Sequence, residues 1–195
     1  MTARRGALIL AAGASNRMGT PKALLPWRDT TLLQYALTQA HAVPVEEIVV
    51  VLGPSTRHLE GRLSASVAIN PEPETGRSAS IRLGSALLSD GVEAILVQSV
   101  DQPCSTDIIA ALFGAIDGGA AVAVPTHAGR RGHPICVSGH LLHELRAVTE
   151  EEEGLRSIVR RHRHELVEVP VESESVVWNL NDPAAYAAAR AATKQ

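Results

Sequence analysis

Residues 8–27 read LILAAGASNRMGTPKALLPW, and the reading of this stretch decides the fold. The apolar run Ala7–Ala12 has the length and composition of a buried strand. The loop after it places Gly13, Gly19, Arg17 and Lys22 within ten residues, and no acidic residue follows until Asp29. Glycines let a backbone turn tightly and bring its N–H groups close to a ligand. Two cations in the same loop add attraction for phosphate oxygens. The spacing departs from G-x-x-x-x-G-K-[ST], because Thr20 and Pro21 separate the second glycine from Lys22. It also departs from G-x-G-x-x-G. The loop answers the same electrostatic need with a different backbone.

Composition narrows the function. The chain has 195 residues, 45% hydrophobic and 20% charged, which fits one domain (1–195) with a substantial core. Aromatics are only 3%, so Ala, Val, Leu and Ile must build that core. A net charge of −3 and the lack of stacking side chains argue against nucleic acid as a partner. Cys104 and Cys136 form no C-x-x-C pair and read as small buried hydrophobes in a reducing, cytoplasmic setting. Arg4 and Arg5 before an apolar run mimic a short signal peptide, but cleavage at Ala12–Ala14 would remove the first strand. No stretch approaches the roughly 20 apolar residues of a membrane span, so no membrane is expected as a partner.

Apolar runs alternate with helical patterns along the chain. Strands are predicted at Ala7–Ala12, Glu47–Leu52, Val67–Ile69, Ala94–Ser99, Ala120–Pro125, Pro134–Val137 and Leu166–Val169. Helices are predicted at Thr31–His41, Arg57–Leu63, Ser78–Leu88, Thr106–Ile116, Gly139–Leu145, Leu155–Arg163 and Pro183–Ala192. Continuous apolar strands such as AILVQSV imply a sheet covered on both faces. The fold class is α/β, a three-layer α/β/α sandwich with a mostly parallel, Rossmann-like sheet. Ligands in such sheets bind beyond the carboxyl ends of the strands, where the glycine loop and Val100–Pro103 both fall.

Six further segments stand out for their charged or polar residues. Asp101 ends an apolar strand; it is either a helix-start residue or a Mg²⁺ ligand, and Ser105 and Thr106 are better placed as the helix cap. Asn70–Gly84 is a turn-rich loop ending at Gly76, after which Ser78 caps a helix carrying Ser80 and Arg82. It reads equally as an ordinary capped helix or as a surface for a nucleobase. Gly129–Pro134, with Arg130, Arg131 and His133, is either a solvated hairpin turn or a site for an anionic acceptor. Glu150–Arg156 reads as a solvated helix start and Arg160–His164 as a cationic helix end. In Asn179–Pro183, Asp182 and Pro183 fit an N-cap and N1 pair. The eight histidines complete no zinc pattern, and no G-x-S-x-G occurs.

The ordered series L-A-A-G-x-S-x-R-M-G-x-P-K-x-L-L-P-W resembles the signature of the MobA-like nucleotidyltransferases, closest to their molybdenum-cofactor cytidylyltransferase branch. The blocks NPEPETGRSASIRLG, VDQP, GRRGHP and NLNDP extend the resemblance over nearly the whole chain. It implies a fold of the nucleotide-diphospho-sugar transferase type. It also implies Mg-dependent nucleotidyl transfer from an NTP, with CTP expected, to a phosphorylated acceptor of the molybdopterin type. On that basis Arg17, Lys22 and Asp101 are catalytic. Leu10, Ala11, Ala12, Gly13, Ser15, Gly19, Gly76, Ser78 and Ser80 hold the nucleotide. Asp101 and Asn181 hold Mg²⁺, with Asn179 and Asp182 as alternatives for the second ligand. Arg130, Arg131 and His133 meet the acceptor.

Relatives that use CTP often carry D-x-D-T-P where this chain has Asn179–Pro183, so Asn181 replaces a carboxylate. Relatives that transfer guanylyl or uridylyl groups have Asn there. GTP-using relatives show L-A-G-G where this chain has Leu10-Ala11-Ala12-Gly13, and the Ala12 methyl narrows the place a purine would need. The G-D-x-G of relatives is absent around Glu150–Arg156. Two further readings stay open: transfer to a sugar phosphate, phosphocholine or another small phosphate, and a non-catalytic carrier that delivers the cofactor to a molybdoenzyme. A molybdoenzyme or its chaperone is the protein partner that the resemblance implies.

Overall fold

The computed structural model describes residues 3–13, 15 and 18–193. Its centre is β1 (Arg5–Ala11), the apolar run of the opening stretch. Ala7, Ile9 and Ala11 of this strand point into one core, and Leu8, Leu10 and Ala12 into the other. A strand buried on both faces has no place for alternating polar residues, which explains its unbroken hydrophobicity.

The other strands follow in chain order: β2 (Pro26–Trp27), β3 (Thr30–Thr31), β4 (Glu47–Leu52), β5 (Ser66–Ile69), β6 (Ala94–Ser99), β7 (Val122–His127), β8 (Arg130–Arg131), β9 (Ile135–Ser138) and β10 (Leu166–Pro170). The main sheet runs β10-β7-β9-β6-β1-β4-β5, with β8 paired to β7. All neighbours along that order pair in parallel except at β9, which is antiparallel to both β6 and β7. β2 and β3 form a separate hairpin.

The helices are α1 (Leu32–His41), α2 (Arg77–Ser85), α3 (Thr106–Asp117), α4 (Leu142–Leu145), α5 (Leu155–Arg161) and α6 (Pro183–Ala192). Side chains of α1, α3 and α6 pack in one core, and those of α2, α4 and α5 in the other. The three-layer α/β/α class is therefore the observed one. Gly84 of α2 shows how closely the layers meet: a Cβ there would stand 2.2 Å from Leu8 Cδ1 and 2.7 Å from Val51 Cγ2. That glycine is a packing residue against the sheet.

Four local expectations change. Arg57–Leu63 forms only a single 3-10 turn, Arg57–Leu59, because Gly61 sits at φ +76°, outside helical backbone space. The start of α3 is capped from another helix: Gln39 Oε1 accepts from the Thr106 N–H at 3.0 Å and its hydroxyl at 2.8 Å, while Ser105 makes no capping bond. Gly139–Leu145 splits into a 3-10 turn followed by the one-turn α4. The fourth concerns Ser78 and Glu150. Asp182 does cap α6, accepting from the Ala185 N–H at 2.9 Å with Pro183 behind it. Cys104 and Cys136 are free and buried, and burial raises both thiols well above their ordinary range. Among the described residues no helix is long and apolar enough to cross a membrane.

Candidate active site

A cleft of about 370 Å³ opens beyond the carboxyl ends of β1 and β6, where the strand order reverses direction around β1. One wall is Leu10, Ala11, Ala12, Gly13 and Ser15. Ser15 ties this loop together: its hydroxyl donates to the Gly13 carbonyl at 3.2 Å and accepts from the Lys22 N–H at 2.9 Å. The bond to Lys22 closes a seven-residue loop and fixes where the lysine leaves the backbone.

Asp101 reaches the same cleft from the other strand. After β6 ends at Ser99, the Val100 N–H still donates to the Leu10 carbonyl, so the chain stays beside β1 for one more residue. The Gln102 N–H then closes a turn on the Ser99 carbonyl and presents Asp101 at the edge. Asn181 arrives from the far end of the sequence. The Leu180 N–H donates to the Asp101 carbonyl at 3.0 Å and docks that segment on the turn.

Three of the predicted site side chains converge there. The Lys22 ammonium donates to Asp101 Oδ2 at 2.7 Å and to Asn181 Oδ1 at 2.5 Å. The Lys22 and Asp101 side chains are only 15% and 11% exposed, so this pair is far less screened than a surface ion pair. Among the described residues, Asp101 Oδ1 is buried and has no donor. A buried carboxylate oxygen without a partner is costly unless a cation or donor meets it. The residues thus fit a divalent cation held by Asp101 and Asn181 oxygens. Among the described residues no three His, Cys, Asp or Glu side chains gather to cage a metal, so further ligands would come from bound phosphates or water.

The opposite wall is the start of α2, with Pro73, Gly76, Arg77 and Ser80. Ser80 is positioned by Asn70, whose Nδ2 donates to its Oγ at 2.9 Å. The expected cap at Ser78 is replaced: Gly76 takes the N-cap position, and the Ser78 N–H donates to Glu150 Oε1 at 2.5 Å. Gly76 has φ +118°, and a Cβ on it would stand 2.4 Å from the Glu150 carboxylate. Glu150 to Glu153 are exposed, as read from the sequence, but they form a turn before α5, which begins only after Gly154, and Glu150 reaches across to cap α2 from outside. The hydrogen bond from the Ser78 N–H is the largest cause that holds the Glu150 carboxyl below its usual range.

Most of the predicted nucleotide residues share this cleft: Leu10, Ala11, Ala12, Gly13, Ser15, Gly76 and Ser80, along with Lys22, Asp101 and Asn181. Gly19 and Ser78 do not line it. Asn179 is exposed, and Asp182 is engaged as a cap. Arg17 lies outside the described residues. Sequence reading missed Arg77, a second cation in the cleft, although it stands inside the quoted block. It also missed Glu150, which no local signal could reveal.

The acceptor candidates separate. Arg131 and His133 line a second cavity, and Arg130 lies on neither. His133 lines the second cavity and not the cleft. Burial, then the charges of Arg77 and Arg156, lower its imidazole's affinity for a proton, while Asp101 acts in the opposite sense.

Residues 7–166 match the family described as the MobA-like NTP transferase domain. The bifunctional protein GlmU of Caulobacter vibrioides is 33% identical over 81% of this chain, which spans only 36% of that protein's length. Nicotine blue oxidoreductase of Paenarthrobacter nicotinovorans is 30% identical, covering 79% of this chain and 80% of that one. The molybdenum cofactor cytidylyltransferase of Escherichia coli K12 is 27% identical over 90% of each. Among solved structures, Rv0371c from Mycobacterium tuberculosis superposes with a TM-score of 0.84 at 27% identity, covering 98% of this chain and 100% of its own. Its complex with manganese gives 0.81 at 22%, with the same coverage.

Proposed function

This chain belongs to the MobA-like NTP transferase domain family, and from that premise we propose that it transfers the cytidylyl group of CTP to the phosphate of a molybdopterin-type acceptor. Nucleotidyl transfer is the family's chemistry. The choice of CTP rests on Ala12 and on the likeness to the cytidylyltransferase over nine-tenths of each chain. The observation that carries the reading is the convergence of Lys22, Asp101 and Asn181, with one Asp101 oxygen left without a donor among the described residues.

An acceptor phosphate oxygen attacks the α-phosphorus of CTP. The bond to the β-phosphate oxygen breaks, and its electron pair leaves with pyrophosphate. The protein needs no nucleophile of its own. Its work is to hold the two phosphates in line and to meet the charge that shifts toward the leaving group. Asp101 and Asn181 would hold Mg²⁺, which supplies charge neutralisation at the phosphates when bound. Lys22 exchanges its Asp101 and Asn181 contacts for phosphate oxygens as the nucleotide enters. Arg77 faces the nucleotide from α2. His133 stays neutral beside the acceptor and avoids repelling Arg77 and Arg156.

The test is pyrophosphate release with each of the four NTPs, Mg²⁺ and molybdopterin. CTP should give the highest kcat/KM. Asp101→Ala should lower kcat by about two orders of magnitude or more. Lys22→Ala should lower kcat by a larger factor than it raises the KM for CTP. Near-normal turnover of Asp101→Ala at saturating Mg²⁺ would remove it from the mechanism. Tight molybdopterin binding without release from any NTP would move the chain to the carrier reading.

A further inference from the structure

The side-chain amide of Asn70 has one orientation open to it. Its backbone is anchored just after β5, where the Asn70 N–H donates to the Leu52 carbonyl at 2.8 Å. Its Oδ1 accepts from the Glu72 N–H at 3.0 Å, and its Nδ2 donates to Ser80 Oγ at 2.9 Å. A backbone N–H can only donate, so it selects the oxygen end of the amide and leaves the nitrogen end for Ser80. An amide nitrogen can only donate in turn, so the Ser80 oxygen accepts. The pair is shielded from water, with Asn70 1% and Ser80 5% exposed.

The Ser80 proton must then go elsewhere. Other hydroxyls on the helices of this chain turn back on their own backbone. Ser85 donates to the Arg82 carbonyl at 3.1 Å, Ser157 to that of Gly154 at 2.8 Å and Thr193 to that of Ala189 at 3.2 Å. Among the described residues Ser80 has no such acceptor; its one bond is the one it receives from Asn70. A buried proton without an acceptor is costly. Ser80 lines the cleft, so the acceptor that relieves this cost is on whatever enters there.

We infer that Asn70 is a positioning residue that fixes the Ser80 hydroxyl as a donor to N3 of cytosine, and that this pair separates CTP from UTP. This role rests on the cytidylyl reading above and adds a residue that does not itself line the cleft. The Ala12 methyl sorts bases by size, and cytosine and uracil have the same outline. Their difference is polar: cytosine N3 accepts, whereas uracil N3 carries a proton. A hydroxyl free to rotate would serve either base. One held by Asn70 meets the uracil proton with its own. Ser15, Lys22, Asp101 and Asn181, which share the cleft, are tied to one another or to backbone.

The test is calorimetric binding of CTP, UTP and inorganic tripolyphosphate with Mg²⁺ at about pH 8, well above the ordinary carboxyl range. The proteins are wild type, Asn70→Asp, Ser80→Ala and the double variant. The wild type should bind CTP about tenfold more tightly than UTP, and Ser80→Ala should remove most of that ratio. Asn70→Asp keeps the shape but accepts the Ser80 proton, which turns oxygen lone pairs to the cleft. It should lower the CTP to UTP ratio about tenfold. With Ser80→Ala already present it should leave the ratio within about twofold. Any loss through the added charge falls on tripolyphosphate as well and cancels in the ratio. If Asn70→Asp does not fold, Asn70→Ala frees the hydroxyl and should lower the ratio only where Ser80 is present. A wild type that binds CTP and UTP alike, or a ratio that Asn70→Asp changes equally with and without Ser80, overturns the inference. Intact coupling with no pyrophosphate release from CTP overturns the transfer reading and leaves the role of Asn70 standing.

Discussion

Ala12 is the residue on which the proposed preference for CTP rests. It lines the cleft directly after β1, and its backbone cannot retreat, because Gly53 abuts it: a Cβ on Gly53 would lie 2.4 Å from the Ala12 carbonyl oxygen. The methyl therefore keeps its place when a base enters. On the proposed reading a pyrimidine is accepted in front of it more easily than a purine. Ala12→Gly should narrow the preference for CTP over GTP, by no more than the ~1–3 kcal/mol that one methyl in a pocket is worth. Full reversal is not expected, since Gly76 and Ser80 face the same space from α2. The measurement is kcat/KM for both nucleotides with one acceptor. A wild type that already favours GTP would place the protein with guanylyl-transferring enzymes. That Ala12 lines the cleft was legible in the sequence because it directly follows an apolar strand and precedes the glycine turn; that Gly53 backs it was not.

At the scale of elements, α2 depends on a side chain 72 residues away. Its first turn supplies Gly76, Arg77 and Ser80 to the cleft, and the Glu150 carboxylate satisfies the Ser78 N–H at that turn. Glu150→Ala should cost about 1 kcal/mol, as loss of a helix cap does, and should raise the KM for nucleotide. Glu150→Gln keeps an accepting oxygen and should fall between. The pH dependence has a definite sign. The folded protein holds this carboxyl below its unfolded value, so its contribution is present above the unfolded value and is lost as pH falls through the lowered, folded one. The gap in Tm between wild type and Glu150→Ala should be full at neutral pH and close in acid. A gap that is constant with pH would mean that charge at this cap is irrelevant.

Across the whole molecule, four of the few aromatic side chains join the two ends of the chain. Trp27 packs against Tyr35, Trp178 and Tyr186, with ring centroids 6.4, 6.3 and 6.5 Å away, and the Tyr186 hydroxyl donates to the Pro26 carbonyl. Trp27 is 1% exposed. The cluster clamps the hairpin that follows Lys22 to the segment that carries Asn181. Trp27→Ala should therefore destabilise the fold by about 3–5 kcal/mol, read from the denaturant midpoint. It should also lower turnover under conditions where the protein remains folded. Unfolding without any loss of turnover in the folded fraction would separate the clamp from the site.

The α/β class, six of the seven predicted helices (α2, α4 and α5 shorter than predicted) and all seven predicted strands were present in the sequence, because buried strands and amphipathic helices carry their periodicity in neighbouring residues. So was the placement of the first loop at the cleft, which Gly13, Ser15 and Lys22 line. Apart from Arg57–Leu63, which Gly61 ends locally, the misread contacts share one cause. Gln39 caps α3, Glu150 caps α2, and Leu180 docks on Asp101 through a backbone bond, and each contact joins residues far apart in the chain. No local pattern records such a pairing. The reversed direction of β9 belongs to the same class, since a strand of ICVS reads alike in either orientation. That reversal brings His133 and the second cavity to the edge where Asp101 stands. The sequence by itself determined the elements and the chemistry of the first loop; only tertiary structure decided which distant side chains meet there, because hydrogen bonds and packing select partners by distance in space.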